Sequence, residues 1–209
     1  MKERAAMVPM IPAAGFADPT RDAQRVFRAV LDALAHPTRR YPLIGPAEPP
    51  SALGRGLGAV ALTVLDEECT VWLGGCLETA EVEAWLYFHT GVCLVTDAAN
   101  ADFLFASPSA LPLLAGLAVG SDEAPHRSAT VVFDIRGCAG DSCFRAEGPG
   151  LNGAAALEAP WANDDFLAQW QLNHELFPRG IDLLLVDDGA VSALPRTTRL
   201  TAAEPGQDT

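Results

Sequence analysis

The chain has 209 residues, 49% of them hydrophobic and 20% charged, a globular composition that excludes disordered, collagenous and low-complexity classes. Its formal charge of −13 makes it a poor general ligand for nucleic acid or an anionic membrane surface. Lys2 is the one lysine, which removes any chemistry that needs a lysine in the folded body.

The first predicted element is a helix from about Asp18 to Ala35. Asp18 suits the N-cap and Pro19 the first helical position. Ala23, Val26, Phe27, Val30, Leu31 and Leu34 recur at helical spacing and predict its buried face, while Arg21, Arg25 and Arg28 form a stripe on another face. Pro37 ends the helix, and Arg39 to Ile44 reads as a short strand. A helix then runs from Ser51 to about Leu65, followed by a strand from Cys69 to Leu73. Thr79 caps a helix through about Phe88, with Gly91 placed to end it. Strands follow at Val92 to Thr96 and Phe103 to Phe105, then a helix at Pro108 to Leu117. Ala129 to Ile135 is a strong β run, with Ser142 to Glu147 expected as its hairpin partner. A helix from Trp161 to Leu176 is broken at Phe177-Pro178-Arg179-Gly180. Ile181 to Val186 and Ala190 to Leu194 form a hairpin across Asp187-Asp188-Gly189. This order predicts an α/β fold with a mixed central sheet flanked by helices. Residues 15–201 are expected as one domain, with 1–14 and 202–209 as flexible tails.

The basic charge is local. Residues 1–45 carry a net +3, residues 46–126 −10 and residues 127–209 −6. The arginine stripe on the first helix therefore reads as a contact face for an acidic partner or as a solvated face. The segment 1–15 is a poor signal peptide and no apolar run is long enough to span a membrane, so a cytoplasmic chain is expected. The five cysteines are odd in number and lack C-x-x-C spacing, so they predict reduced, mostly buried thiols.

No metal site is expected, because no two of His36, His89, His126 and His174 have the i, i+4 spacing of a helical metal pair. Gly54-Arg55-Gly56-Leu57-Gly58 superficially suggests a phosphate loop. It follows no strand and precedes no Gly-Lys-Ser/Thr, so a glycine-bearing helix packed closely on the sheet is the better reading. His89 falls at a helix end, where the dipole favours a positive ring. Arg179 follows a proline at a corner, and Arg196 precedes Thr197 and Thr198 at a strand end. An arginine with two hydroxyls suits phosphate or carboxylate, so Arg179, Arg196, Thr197, Thr198 and His89 are the candidate ligand- or partner-binding residues. No nucleophile–base set is visible, and the catalytic residues stay unassigned.

An ordered set of short motifs resembles the PhnH subunit family of the bacterial carbon–phosphorus lyase system. It runs from Gly15-Phe16-Ala17-Asp18-Pro19 through Pro37 and Arg39, Val71-Trp72-Leu73 and Phe88-His89-Thr90-Gly91. It ends with Phe177-Pro178-Arg179-Gly180-Ile181-Asp182 and Leu194-Pro195-Arg196-Thr197-Thr198. Thr38 stands where that family usually has glycine. The resemblance covers about residues 15–200. It implies the fold of the large domain of pyridoxal-phosphate-dependent transferases without the cofactor. It also implies a homodimer when isolated and a place in a core complex with subunits G, I and J. That complex forms a ribose 1-alkylphosphonate 5-triphosphate from ATP and an alkylphosphonate, releasing adenine. The implied role is structural or accessory; the alternative is a free-standing phosphate- or nucleotide-handling enzyme using His89 and the arginines.

Overall fold

The structure, a computed structural model, describes residues 15–203. Helix α1 (Pro19–Ala35) starts as its sequence dictates: Asp18 accepts a hydrogen bond from the Arg21 amide at 3.2 Å, and Pro19 occupies the first turn. Strand β1 is only Tyr41–Pro42, because Pro42 has no N–H to continue a ladder and is tolerated at a sheet edge. There follow α2 (Gly54–Val64), β2 (Thr70–Leu73), α3 (Ala80–Thr90), β3 (Cys93–Leu94) and β4 (Phe103–Ala106). The second half contains β5 (Thr130–Asp134), β6 (Cys143–Glu147), β7 (Ala154–Glu158) and α4 (Asp164–Glu175). It closes with β8 (Asp182–Val186), β9 (Ala190–Leu194) and β10 (Arg199–Ala202).

Seven strands form the main sheet in the order β1-β9-β8-β5-β4-β2-β3. Strands β3, β2, β4, β5 and β8 are parallel, and β9 is antiparallel to both β8 and β1. The mixed α/β sheet expected from the sequence is thus present. Side-chain alternation divides the core. Val71, Leu73, Phe105, Val132, Leu184, Val186, Val191 and Ala193 face a layer made by α1, α2 and α3. Leu104, Val131, Phe133, Leu183, Leu185 and Leu194 face α4 and a second sheet of order β10-β6-β7.

The predicted hairpin of Ala129–Ile135 with Ser142–Glu147 does not form. Strand β5 lies between β4 and β8, and β6 pairs with β7 and β10. The two sequences fit these places. Thr130–Asp134 is buried on both sides, as an inner parallel strand must be, whereas β6 alternates Phe144 and Ala146 inward with Arg145 outward. The predicted helix at Pro108–Leu117 becomes two 3-10 turns, Pro108–Ala110 and Leu114–Gly116, since Pro112 removes a donor within the span. Helix α4 starts at Asp164 rather than Trp161, because Asn163 accepts from the Phe166 amide at 2.9 Å and caps it. On α1 the buried stripe is Val26, Ala29, Val30 and Ala33. Phe27 and Leu31, expected in the core, are 50% and 49% exposed. The small side chains let α1 lie close to α2 and β9, and the two large ones are rotated away. The cysteines are a further correction: all five are free thiols, but Cys76 and Cys93 are exposed and the others only half-buried.

Thr38 has φ 71°, the one positive value at a non-glycine among the described residues. A β-branched side chain in the left-handed region carries about 1–2 kcal/mol of strain. Thr38→Gly is therefore expected to raise stability by about 1 kcal/mol, after allowing for glycine's extra freedom in the unfolded chain. Urea denaturation checks this; an unchanged or lower midpoint would show that Thr38 contacts outweigh the strain.

Candidate functional site

Open α/β sheets bind ligands at the carboxyl ends of their parallel strands, where successive connections diverge. Here β2 leads through α3 towards β3, while β4, β5 and β8 step the other way, so the divergence lies between β2 and β4. That crevice is filled: a Cβ on Gly75 would lie 2.9 Å from the Ala110 Cβ and 3.1 Å from Ser107 Oγ.

The open space at this end lies beside β5 and β8 instead. A cleft of about 480 Å³ is bounded by Ile135 and Arg136 after β5, by Leu185 of β8 and by Ser192 of β9. Leu157 and Glu158 of β7 and the following Trp161 form its other wall, and Thr38 and Arg40 also border it. The indole of Trp161 stands edge-to-face against Phe133 and Phe166, with centroids 5.0 and 4.7 Å apart.

A charge network borders the cleft. Arg136 donates from Nε to Asp134 Oδ1 and from Nη2 to Asp134 Oδ2, both at 2.8 Å, and from Nη2 to the Ala52 carbonyl. Its Nη1 is 3.6 Å from Asp188. The hydrogen bonds to the buried Asp134 hold the Arg136 pKa above its ordinary value. Asp188 also accepts from the Arg55 amide at the start of α2, and Arg40 pairs with Asp187. Gly56 lets this helix end approach: a Cβ there would sit 1.8 Å from the Asp187 carbonyl oxygen. The glycine run is thus a packing device, as the sequence reading held. Cys138 borders the same cleft, and burial pushes its thiol pKa up.

The arginine candidates gather at the opposite end of the sheet. Arg196 donates to both carboxylate oxygens of Asp182, the first residue of β8. It also donates to Ser128 Oγ and, at 3.0 Å, to the Pro125 carbonyl. Its side chain is 11% exposed. The segment Pro195-Arg196-Thr197-Thr198 is a tight turn closed by the Thr198 amide on the Pro195 carbonyl at 2.8 Å. Thr198 is fully buried, its hydroxyl has no hydrogen-bond partner among the described residues, and its carbonyl accepts from the Trp170 indole. Arg179 Nε lies 3.2 Å from Asp122, an ion pair without hydrogen-bond alignment. His89 is separate from these residues. It is half-buried at the end of α3, with its ring 4.5 Å from that of Trp85 and 5.0 Å from that of Phe88.

Arg21, Arg25 and Arg28 are exposed on α1, along a groove of about 540 Å³ shared with Tyr41, Pro42 and Ile44. Among the described residues no group of three or more His, Cys, Asp or Glu side chains is placed to hold a metal ion, and no helix is long and apolar enough to cross a membrane. Sequence reasoning missed the cleft and its residues Thr38, Arg40, Arg136 and Ser192. The available signals were Ser192, a polar residue in the otherwise apolar run Ala190–Leu194, and Thr38, standing where the resembled family usually has glycine.

These features define a three-layer α/β protein whose strand-end arginines are held by the chain's own carboxylates. Across residues 14–201 it matches the family described as bacterial phosphonate metabolism protein (PhnH), and the chain belongs to that family. It is 38% identical over 186 residues to "Alpha-D-ribose 1-methylphosphonate 5-triphosphate synthase subunit PhnH" of Rhizobium meliloti (strain 1021), covering 88% of this chain and 93% of the relative. It is 30% identical over 177 residues to "Putative C-P lyase subunit protein HtxG" of Stutzerimonas stutzeri, covering 85% of each.

Proposed function

We propose that this chain is an accessory subunit of a carbon–phosphorus lyase core complex. It acts with subunits G, I and J in forming a ribose 1-alkylphosphonate 5-triphosphate from ATP and an alkylphosphonate, with release of adenine. The observation that carries this reading is the 38% identity, spread over nearly the full length of both chains, to a subunit of that synthase. The arrangement of charges supports an accessory role. Arg136 and Arg196 are each engaged by carboxylates of the same chain, so neither is left as a ready clamp for a triphosphate. Co-expression with the G, I and J subunits and size-exclusion chromatography test it. Co-elution is expected. Failure to co-elute, together with adenine release by this chain alone from ATP and methylphosphonate, would establish the free-standing enzyme instead.

In isolation the chain is a cytoplasmic homodimer in this reading, with the exposed Phe27 and Leu31 as apolar surface to cover. The arginine stripe beside them is the face offered to an acidic sister subunit. Reversing Arg21, Arg25 and Arg28 to glutamate is expected to leave thermal stability within a few degrees, because surface changes cost about 0.5 kcal/mol or less each. It should remove most of the co-eluting complex at low salt. Undiminished assembly would place the contact elsewhere.

On the resemblance of its sequence motifs alone, we infer a relationship to the large domain of pyridoxal-phosphate-dependent transferases, without the cofactor. An internal aldimine needs a rigidly placed lysine amine. Lys2, the one lysine, lies outside the described residues. Borohydride reduction in the presence of pyridoxal phosphate is expected to give no stoichiometric adduct within residues 15–203, as read by peptide mass.

A further inference from the structure

Two local rules of sequence are broken on the same cleft. Ser192 interrupts β9 between Val191, Ala193 and Leu194, all fully buried. It is 8% exposed, lines the cleft, and its hydroxyl has no hydrogen-bond partner among the described residues. Lining the cleft without a protein partner, it is available to a bound ligand. Thr38, with its φ of 71°, lies on the wall of the same space. A polar residue at an apolar position of a strand is the kind of departure found where function, rather than stability, selects the residue.

The lining specifies what fits. Arg40 and Arg136 are closed by Asp187 and by Asp134 with Asp188. The carboxylate without such a partner, Glu158, is exposed at the wall. Among the described residues lining the cleft, no arginine is without a carboxylate partner that would leave it for a phosphate or phosphonate. The uncharged lining is mixed: Thr38, Cys138 and Ser192 are polar, while Ile135, Leu157, Leu185 and Trp161 give an apolar, partly aromatic wall, with Trp161 held at a fixed angle by two phenylalanine rings. In register, Leu185 lies opposite Ser192, so one hydroxyl stands beside an aliphatic wall on the same sheet face. The volume, about 480 Å³, is within the range of small-molecule sites.

We propose that this cleft binds an uncharged planar nitrogen heterocycle of nucleobase size. Its ring lies against Trp161 and the aliphatic wall, and its hydrogen-bonding edge meets Ser192 Oγ. The proposal uses residues of this chain alone and stands or falls separately from the assembly proposed above. Adenine is the probe, titrated into the purified full chain by calorimetry, with ribose and methylphosphonate as a non-aromatic and an anionic control. Adenine is expected to saturate with a dissociation constant of about 1 mM or tighter. In a 15N-labelled sample the Trp161 indole resonance should move more than those of Trp72, Trp85 and Trp170. Ser192→Ala, which fills no new space, should weaken adenine about 5–10-fold, the loss of one hydrogen bond. No saturation by about 10 mM overturns the proposal. So does binding unchanged in Ser192→Ala, binding that leaves Trp161 unmoved, or Ser192-dependent binding of ribose or methylphosphonate in place of adenine.

Discussion

Arg196→Ala is expected to lower the unfolding free energy by about 3 kcal/mol. Breaking a buried, hydrogen-bonded ion pair by removing one partner costs about 3–5 kcal/mol. The lower end applies because Asp182 keeps 23% of its side chain exposed. The loss is distributed. Asp182 would keep only the Arg196 amide, at 2.7 Å, while Ser128 Oγ and the Pro125 carbonyl would lose their guanidinium donors. These groups come from three separated stretches, so the guanidinium fastens the turn after β9 to the start of β8 and to the turn before β5. Arg196→Lys keeps the charge but not the planar fork, and is expected to recover less than half of the loss. Urea denaturation measures both. A double-mutant cycle of Asp182→Asn with Arg196→Met should show a coupling of at least about 1 kcal/mol. An Arg196→Ala protein within about 0.5 kcal/mol of the parent would mean that the guanidinium is held by nothing inside the chain. It would then be free to recognise a ligand or partner. If the expected loss is seen, a growth or assembly defect in that variant reports damaged folding, and the recognition role must be tested at other residues.

What could be read from the sequence was what local chemistry determines. The caps of α1 and α3 follow from Asp18 with Pro19 and from Thr79 with Gly91, and all act as expected. The β8–β9 hairpin follows from Asp188-Gly189 between two apolar runs. Strand partners that depend on distant segments were not legible. Strand β7 is Ala-Ala-Ala-Leu-Glu, with weak β propensity, and becomes a strand because β6 offers it a ladder. Strand β10 is four residues long and adjoins the tail. With both overlooked, β6 had no partner but β5. The candidate site failed for the same reason. Arg196 looks presented when only Leu-Pro-Arg-Thr-Thr is considered, because Asp182 is fourteen residues away and Ser128 sixty-eight. The cleft draws on stretches from Thr38 to Ser192. Ser192 could have been noticed alone, as a polar residue where the pattern demands an apolar one, and Thr38 as a departure from the family's usual glycine.

The glycine run at the start of α2 offers a test in which one substitution, made two residues apart, changes sign. Gly56→Ala is expected to destabilise the chain by about 3 kcal/mol. The new Cβ would sit 1.8 Å from the Asp187 carbonyl oxygen and 2.8 Å from its carbon. Those are backbone atoms next to the β8–β9 turn, so no side-chain rotation relieves the overlap. Overpacking of this kind costs about 1–3 kcal/mol, and more where backbone must move. Helix propensity returns only about 1 kcal/mol. Moving α2 away would also pull the Arg55 amide from Asp188, at 3.0 Å, and the Ala52 carbonyl from Arg136. At Gly58 the nearest atom to a new Cβ is Pro46 Cγ at 3.1 Å, a ring edge that needs to shift by only a few tenths of an ångström. Gly58→Ala therefore keeps most of the helical gain and is expected to be neutral or up to about 1 kcal/mol more stable. Chemical denaturation of the two variants side by side checks the pair. Equal effects of the same sign would mean that α2 does not press on the strand ends through Gly56. The Asp187–Asp188 turn would then owe its position to Arg40 and Arg136 alone. The opposite signs would show that Gly56 is kept for close packing against the carbonyl of Asp187, which leaves the phosphate-loop reading of the run without support.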